Sequence, residues 1–268
     1  MPRSRPAPQL IAVVGDLVVE RDPLRASGRL LRQGGMDASY VDLSDPRHLE
    51  FDYLRWMAIV LRAAGARRVL HIGGGACALA RALAAEDPEG RQEVCEVDAD
   101  VLELARRHLG LRRMPGLRVR HAEGRAALRA RADASLEAVA VDAFVGARVP
   151  ASLTTATAMA DAARVAALTV VNVLDDRRGG EVTAIAAALR DAYPRVWALG
   201  GRVGNTVLAG DRIGFDLSRI AARAAADPSP ARLIAPATMG RRVATSIARH
   251  DADTAPHPAL RGGPAETR

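Results

Sequence analysis

The residues best suited to do chemistry are three consecutive glycines and the carboxylates that follow them at the ends of predicted strands. Gly73, Gly74 and Gly75 follow the apolar run Val69–Ile72 and precede an alanine-rich helical pattern. Glycine lets the backbone approach a ligand closely, and the first amides of the helix point at that ligand. Glu96 ends the next predicted strand, where an acid accepts hydrogen bonds from ribose hydroxyls. The stretch predicts a nucleoside-containing ligand across the ends of two adjacent parallel strands.

Asp142 is a further candidate, because it ends the apolar run Ala138–Val141. The carboxyl edge of a central parallel strand is where ligands bind in such sheets, although an aspartate there can also cap the following loop. Asp98 is better explained as the N-cap of the next helix. Asp52 and Tyr53 precede the glycines on a predicted helix and are candidates for an acceptor pocket, with core packing as the alternative for the tyrosine.

The remaining reactive side chains are predicted to be structural. The six histidines have no metal-ligand spacing, so no metal site is expected, and His71 lies inside a strand as a core histidine. Cys77 follows the glycines near a helix N-terminus, which is expected to lower its thiol pKa. It has no evident histidine partner, so a small core residue is favoured over a nucleophile.

The elements that position these residues alternate between strand and helix. The last two strands are joined by a loop too short for a crossover helix and must be antiparallel. The alternation predicts an α/β fold, a Rossmann-like seven-stranded class I methyltransferase sheet with a small N-terminal β cap. The predicted strands are Val69–Ile72, Glu93–Val97, Leu117–Arg120, Ala138–Val141, Leu168–Leu174, Arg195–Leu199 and Asn205–Ala209.

The chain is expected to divide into four parts. Residues 1–9 are predicted to be disordered, and residues 10–45 form the small β cap. A helix from about Pro46 to Ala64 then opens the nucleoside-binding Rossmann-like transferase domain, residues 46–226. Residues 227–268 form a C-terminal tail, partly disordered, with no clear core pattern.

Composition excludes several classes of function. The chain has 268 residues and a formal net charge of +7, and all 38 basic residues are arginine. These arginines are scattered between acids and aromatic residues are few, which argues against nucleic-acid binding. No apolar stretch is long enough to span a membrane. Two cysteines and the lack of an apolar secretory signal favour a reducing, cytoplasmic location.

Several segments together resemble a known family. HIGGGACALAR, VCEVD, HAEGRAAL and VAVDAF, with SYVDLSDPRHLEFDYLRWM upstream and GNTVLAGD downstream, resemble the spermidine synthase-like branch of the class I S-adenosylmethionine-dependent transferases, the polyamine aminopropyltransferase-like proteins. The resemblance covers roughly Gln9 to Leu217. It implies a transferase that uses S-adenosylmethionine or its decarboxylated form as co-substrate, with no metal, a small-molecule acceptor expected to be an amine, and a homodimer.

The resemblance also implies a role for each matching residue. The glycines Gly73 to Gly75 bend around the methionine-derived part of the nucleoside, and Glu96 holds the ribose. Glu123 and Gly124 lie near the adenine. Asp142 accepts the proton of the attacking amine and orients it towards the carbon bound to the sulfonium.

Three positions depart from the family pattern. Ala76 stands where an acid would hold the aminopropyl amine, and Ala38 stands where the cap would supply a glutamine. The acid-rich loop after the fourth strand is reduced to a single acid, Asp142. A dicationic diamine needs several carboxylates to replace its hydration, so the sequence predicts fewer of them around the acceptor.

Three alternatives stay open. The first is methyl transfer from S-adenosylmethionine to a small molecule, and the second is a catalytically degenerate relative that binds the nucleoside or a partner. The third is an NAD-binding Rossmann protein, because Gly73, Gly75 and Ala78 also fit G-x-G-x-x-A, with Glu96 on the ribose. The acid at the end of the fourth strand and the closing hairpin favour the transferase.

Overall fold

A computed structural model describes residues 7–175, 180–200 and 204–251. They form a four-stranded antiparallel sheet and an eight-stranded mixed sheet with helices on both faces. The architecture predicted from the sequence is confirmed. Residues 1–6 and 252–268, on which most of the predicted terminal disorder falls, lie outside the described residues.

The N-terminal sheet is the predicted cap. Its inward face buries Leu17, Val19 and Leu31 against the main domain. The turns between the first two strands and between the last two are Gly15-Asp16 and Gly34-Gly35, and both lie at one end of the sheet. The strands pair in chain order: β1 (Gln9–Val14), β2 (Leu17–Arg21), β3 (Gly28–Gln33) and β4 (Met36–Asp42).

The main sheet has the order β12-β10-β11-β9-β8-β5-β6-β7. Strands β5 to β9 run parallel, and β11 pairs antiparallel with both β9 and β10, as the short predicted connection requires. The strands are β5 (Arg68–Gly73), β6 (Arg91–Glu96), β7 (Leu117–His121), β8 (Leu136–Asp142), β9 (Ala166–Asp175), β10 (Arg195–Gly200), β11 (Gly204–Asp211) and β12 (Arg232–Ile234).

Eight α-helices are present among the described residues, and alanine and leucine dominate their buried faces. Most of them cover the two faces of the main sheet. Among the residues described, none of the helices combines the length and the apolar composition needed to cross a bilayer. The helices are α1 (Asp52–Ala63), α2 (Ala78–Glu86), α3 (Ala99–His108), α4 (Gly124–Arg129), α5 (Ala156–Val165), α6 (Gly180–Ala192), α7 (Leu217–Ala225) and α8 (Pro236–Arg242).

The predicted start of the first helix is wrong. The chain at Asp45 makes a turn instead of a helix, because its carboxylate accepts from the Arg47 amide at 2.9 Å and its carbonyl from the His48 amide. Helix α1 therefore begins six residues later than Pro46. Helix α5 begins at Ala156, because the Thr155 hydroxyl accepts from the amide of Ala158 and caps it.

The region after residue 226 contains structure that the sequence did not predict. The short strand β12 adds an eighth strand at the edge of the main sheet. Helix α8 follows it and places Met239 and Val243 in the core, with 0% and 1% of their surfaces exposed. The proposed domain boundaries at 45 and 226 stay predictions.

The site is held on a rigid part of the core. Strands β5 and β8 are neighbours, and their apolar residues Leu70, Val139 and Val141 are almost wholly buried. Burying each such side chain contributes about 1.5–3 kcal/mol to folding. Because β5, β6 and β8 are parallel, Gly73, Glu96 and Asp142 end at the same edge of the sheet.

Candidate active site

A cavity of about 670 Å³ opens at the carboxyl edge of the main sheet, with the cap forming part of its wall. This volume is typical of a small-molecule site. Strands β5, β6, β8, β9 and β11 contribute to it, as do the start of α1 and the loops after β7 and β8. All nine residues that the sequence predicts to bind the nucleoside or the acceptor, or to act in catalysis, line it: Asp52, Tyr53, Gly73, Gly74, Gly75, Glu96, Glu123, Gly124 and Asp142.

The glycine turn fits closely against strand β8. Gly73 has a φ of +76°, in the region that favours glycine. A Cβ atom there would lie 2.7 Å from the carbonyl oxygen of Asp142 and equally close to the side chain of Ala143. Glycine is therefore required at this position both by the backbone angle and by the space.

Two amides of the turn already have protein partners. The Gly75 amide donates to the carboxylate of Glu96, and the Ala76 amide donates to the Ser39 hydroxyl of the cap at 3.1 Å. These amides are thus engaged and are not free to bind a pyrophosphate. The geometry favours a nucleoside over a dinucleotide at this turn.

Glu96 is fixed in orientation at the end of β6. Only 7% of its surface is exposed, and its carboxylate accepts a hydrogen bond from the Asp98 amide at 3.0 Å. Burial raises the pKa of this carboxyl, while the backbone amides around it act in the opposite direction. A fixed carboxylate at the cavity wall can accept hydrogen bonds from two adjacent hydroxyls.

Glu123 and Asp98 act as helix caps as well as cavity residues. The Glu123 carboxylate accepts from the amides of Arg125 and Ala126, at 2.8 and 2.6 Å, and so begins α4. Asp98 accepts from two amides at the start of α3, as predicted. A Cβ atom at Gly124 would collide with the side chain of Ile72, so glycine at this position is what lets α4 pack closely on β5.

Asp142 lies at the centre of a hydrogen-bonded chain. Asn205 donates to the side-chain oxygen of Asn172 at 2.9 Å, and Asn172 donates to the Asp142 carboxylate at 2.9 Å. The Tyr53 hydroxyl donates to the same carboxylate. Desolvation raises the pKa of Asp142 to about 6, and the two hydrogen bonds oppose the rise. A carboxyl with such a pKa is ionised near neutral pH and readily accepts a proton.

Tyr53 and Asp52 begin helix α1 beside this carboxylate. The pKa of Tyr53 lies well above its usual value, first because the phenol is desolvated and second because Asp142 is close, so the phenol stays a proton donor. Its ring stacks on Phe51, with centroids 5.8 Å apart. The Asp52 carboxylate accepts from the Tyr53 amide at 2.7 Å.

The cavity is acidic although the chain is basic. No arginine or histidine occurs among the described residues that line it. Such a site favours a cation, since each carboxylate lowers the energy of a positive charge in the cavity. Its carboxylates are Asp16, Asp37, Asp52, Glu96, Asp98, Glu123 and Asp142.

The cap residues among these were missed in the sequence. Asp16 comes from the first cap turn and Asp37 from the start of β4, and Gln33 at the end of β3 accompanies them. The sequence predicted fewer carboxylates around the acceptor only, and it did not predict these acids of the cap. Ala38 does line it, whereas Ala76 does not: its side chain is fully buried in the core. The sequence does place these acids beside glycine turns. Whether such acids reach the cavity, however, depends on how the two sheets pack against each other.

Two reactive side chains beside the glycine turn are structural. His71 is a core histidine, as predicted, and contacts Gln92 at 2.9 Å, with burial lowering its pKa to about 4. The expected lowering of the Cys77 pKa is wrong: burial raises it to about 12 and outweighs the helix N-terminus. Among the described residues no group of three potential ligands could hold a metal ion.

Comparisons with known proteins point to one group. No family model and no curated protein matches the chain. A structure described as a probable spermidine synthase from Corynebacterium glutamicum is 27% identical, with a TM-score of 0.82 over 92% of this chain and 97% of its own. A spermidine synthase in complex with the transition-state analogue AdoDATO is 15% identical, with a TM-score of 0.64 over 88% and 89%. The spermidine synthase from Thermotoga maritima is 17% identical, with a TM-score of 0.63 over 88% of both chains.

These likenesses confirm the predicted resemblance to the spermidine synthase-like branch of the class I transferases. The similarity extends over the cap as well as the main sheet, because it covers 92% of the chain. The chain is thus assigned to the transferases, with a fold of the S-adenosylmethionine-dependent type.

Proposed function

We propose that the protein transfers an aminopropyl group from decarboxylated S-adenosylmethionine to an amine. The observation that carries the proposal is an acidic cavity in which a carboxylate with a raised pKa, Asp142, adjoins the glycine turn. The donor is a sulfonium cation, and such a cavity suits it. The fold neighbours named above support the same donor class.

The charge of the cavity also supports the choice of donor. S-adenosylmethionine carries an α-carboxylate that needs a cationic or amide partner when it is desolvated. The described wall of the cavity offers acids there and no cation, and two of the turn amides are engaged by Glu96 and Ser39. Loss of that carboxylate leaves an aminopropyl ammonium, which suits the acidic wall.

In the proposed step, the amine nitrogen attacks the aminopropyl carbon bound to sulfur. A carbon–nitrogen bond forms, the carbon–sulfur bond breaks, and its electron pair stays on sulfur as the neutral thioether methylthioadenosine. Asp142 takes the proton that the amine must lose. Tyr53 and Asn172 hold this carboxylate in place. Glu96 holds the ribose, and Glu123 and Gly124 adjoin the adenine.

Calorimetry with three nucleosides tests the proposal. The decarboxylated donor should bind at least ~10-fold more tightly than S-adenosylmethionine, a difference of about 1.4 kcal/mol. Methylthioadenosine should also bind, because it keeps the adenine and the ribose. A preference for S-adenosylmethionine would favour methyl transfer instead, and no binding of any of the three by the folded protein would contradict the nucleoside site.

The proposed assembly is a homodimer that acts on a small molecule in the cytoplasm. It is supported only by the resemblance to the spermidine synthase-like proteins. Sedimentation velocity at micromolar concentration should give one species of about twice the 28.3 kDa chain mass. A monomer under these conditions would contradict it.

A further inference from the structure

The sheet order divides the cavity into two halves about strand β5. Glu96 lies on β6, to one side, and the nucleoside is placed there under the proposed function. On the other side are Asp142 at the end of β8, Leu174 on β9 and Asn205 on β11. This second half contains Asp142 and lies on the side of β5 opposite Glu96. Under the proposed function the acceptor must therefore lie there.

Four apolar side chains line the described part of this acceptor half. Phe144 and Val145 lie two and three residues after Asp142, Leu174 is on β9, and Phe51 precedes the start of α1; all four line the cavity. Val145 and Leu174 leave 41% and 37% of their surfaces exposed. A ligand that covers them removes apolar surface from water, which favours an acceptor with an apolar body.

Among the described side chains near this half, the carboxylates are already engaged or exposed to solvent. Asp142 is needed for the reacting nitrogen. Asp52 accepts from the Tyr53 amide, and Asp37 forms an ion pair with Arg32 at 3.0 Å. Asp16 is exposed on its turn, where water screens its charge. Against the described part of this wall, a second ammonium group of an acceptor would meet apolar side chains in place of its hydration shell, which is unfavourable.

We infer that the acceptor is a primary amine with a single positive charge on an apolar body, not an acyclic diamine. The inference rests on the proposed aminopropyl transfer and names the acceptor class of that same site. Such an amine gives up one proton of its single ammonium group to Asp142 and leaves its hydrocarbon part against Phe144, Val145 and Leu174.

A matched pair of amines tests the inference. n-Pentylamine and 1,4-diaminobutane have equal numbers of heavy atoms and differ in one terminal group, a methyl or an ammonium. With the decarboxylated donor at saturation, kcat/KM for pentylamine should exceed that for the diamine by at least ~10-fold. Equal or greater use of the diamine would overturn the inference, as would donor binding with no transfer to pentylamine. Failure of the donor to bind would instead contradict the proposed function, so the two failures are distinguishable.

A substitution in the apolar wall provides a second test. Leu174→Asp places a carboxylate where the remote end of the acceptor is expected, and the partly exposed position tolerates the charge. It should shift the ratio of the two kcat/KM values towards the diamine by at least ~10-fold. Ile213→Asp is the matched control, because Ile213 is exposed and lies outside the cavity, and the ratio should not change. An unchanged ratio in a folded Leu174→Asp protein that still binds the donor would overturn the inference.

Discussion

Asn172 donates a 2.9 Å hydrogen bond to the carboxylate of Asp142 from the neighbouring parallel strand. Asn172 is fully buried, and its own oxygen accepts from Asn205 on the next strand, so its amide has one orientation. Desolvation alone would hold Asp142 in the neutral form over a wider pH range. The hydrogen bond limits that effect and leaves the pKa at about 6. Strand pairing thus adjusts the carboxyl for proton transfer near neutral pH.

The first prediction concerns the pH dependence of the reaction. The carboxylate must be ionised to accept a proton, and its pKa is raised from 3.8 to about 6. The value of kcat/KM should therefore fall as the pH decreases through about 6, by tenfold per unit at lower pH. A pH–rate profile of the wild-type protein checks this. A profile that stays flat down to pH 4.5 would show that another group accepts the proton.

The second prediction concerns Asn172. Asn172→Ala removes a donor that lowers the pKa of Asp142, so the acid limb of the profile should move to higher pH. The unpaired carboxylate and the lost contact should also reduce the free energy of unfolding by about 1–3 kcal/mol. Asn205→Ala, one step further along the chain of bonds, is the matched control and should move the limb less. Equal displacement in both variants would argue against a directed hydrogen-bonded chain.

The third prediction concerns Asp142 itself. Asp142→Asn keeps the shape but removes the proton acceptor, so turnover should fall about 10²–10⁴-fold. Affinity for methylthioadenosine should change less than about threefold, because the ribose and adenine contacts are retained. Thermal unfolding should show a Tm no lower than wild type, since a desolvated charge has been removed. Turnover within tenfold of wild type would rule out Asp142 as the base.

The fourth prediction separates Glu96 from another acid of the same strand. Glu96→Gln removes the charge that faces the proposed ribose and should weaken nucleoside binding by about 10- to 100-fold, as a charge-assisted hydrogen bond is worth about 1.5–3 kcal/mol. Glu93→Gln is the control: Glu93 lies outside the cavity and pairs with Arg131 at 2.6 Å. Calorimetry should find that the affinity of the Glu93→Gln protein for the nucleoside is unchanged. Equal losses of nucleoside affinity in the two variants would indicate that both substitutions act through a general disturbance of β6.

The fifth prediction concerns the glycine turn. Gly73 and Gly65 both have positive φ, +76° and +60°, so alanine at either costs about 1–2 kcal/mol in backbone conformation. Only at Gly73 does a Cβ atom also meet neighbours, at 2.7 Å. Gly73→Ala should thus lower the Tm more than Gly65→Ala and weaken nucleoside binding at least ~10-fold. If Gly73→Ala and Gly65→Ala have the same effects on the Tm and on nucleoside affinity, close packing at the glycine turn is unimportant.

Much of the site was predictable because its signals are local. The glycines, Glu96 and Asp142 each follow an apolar run, and the ends of parallel strands meet at one edge. Asn172 also carries a signal in the sequence, because it is the one polar residue within the apolar run VVNVL. A polar side chain inside such a strand is usually kept by a specific partner.

Other features depended on packing that no local pattern encodes. Asp16 and Asp37 reach the cavity only because the cap sheet lies over the edge of the main sheet. The Cys77 pKa was misjudged since burial, which is a property of the whole fold, outweighs the helix terminus beside it. The edge strand β12 lies in a proline- and arginine-rich region and is held by pairing with β10, not by its own composition.

The most direct test of the central claim is to identify the nucleoside product by mass spectrometry. Wild-type protein, decarboxylated S-adenosylmethionine and n-pentylamine should yield methylthioadenosine and N-(3-aminopropyl)pentylamine in equal amounts, and Asp142→Asn should yield at least ~100-fold less of both. If the donor binds but stays unchanged with every amine supplied, aminopropyl transfer is contradicted. Transfer of a methyl group from S-adenosylmethionine to the amine would contradict it as well.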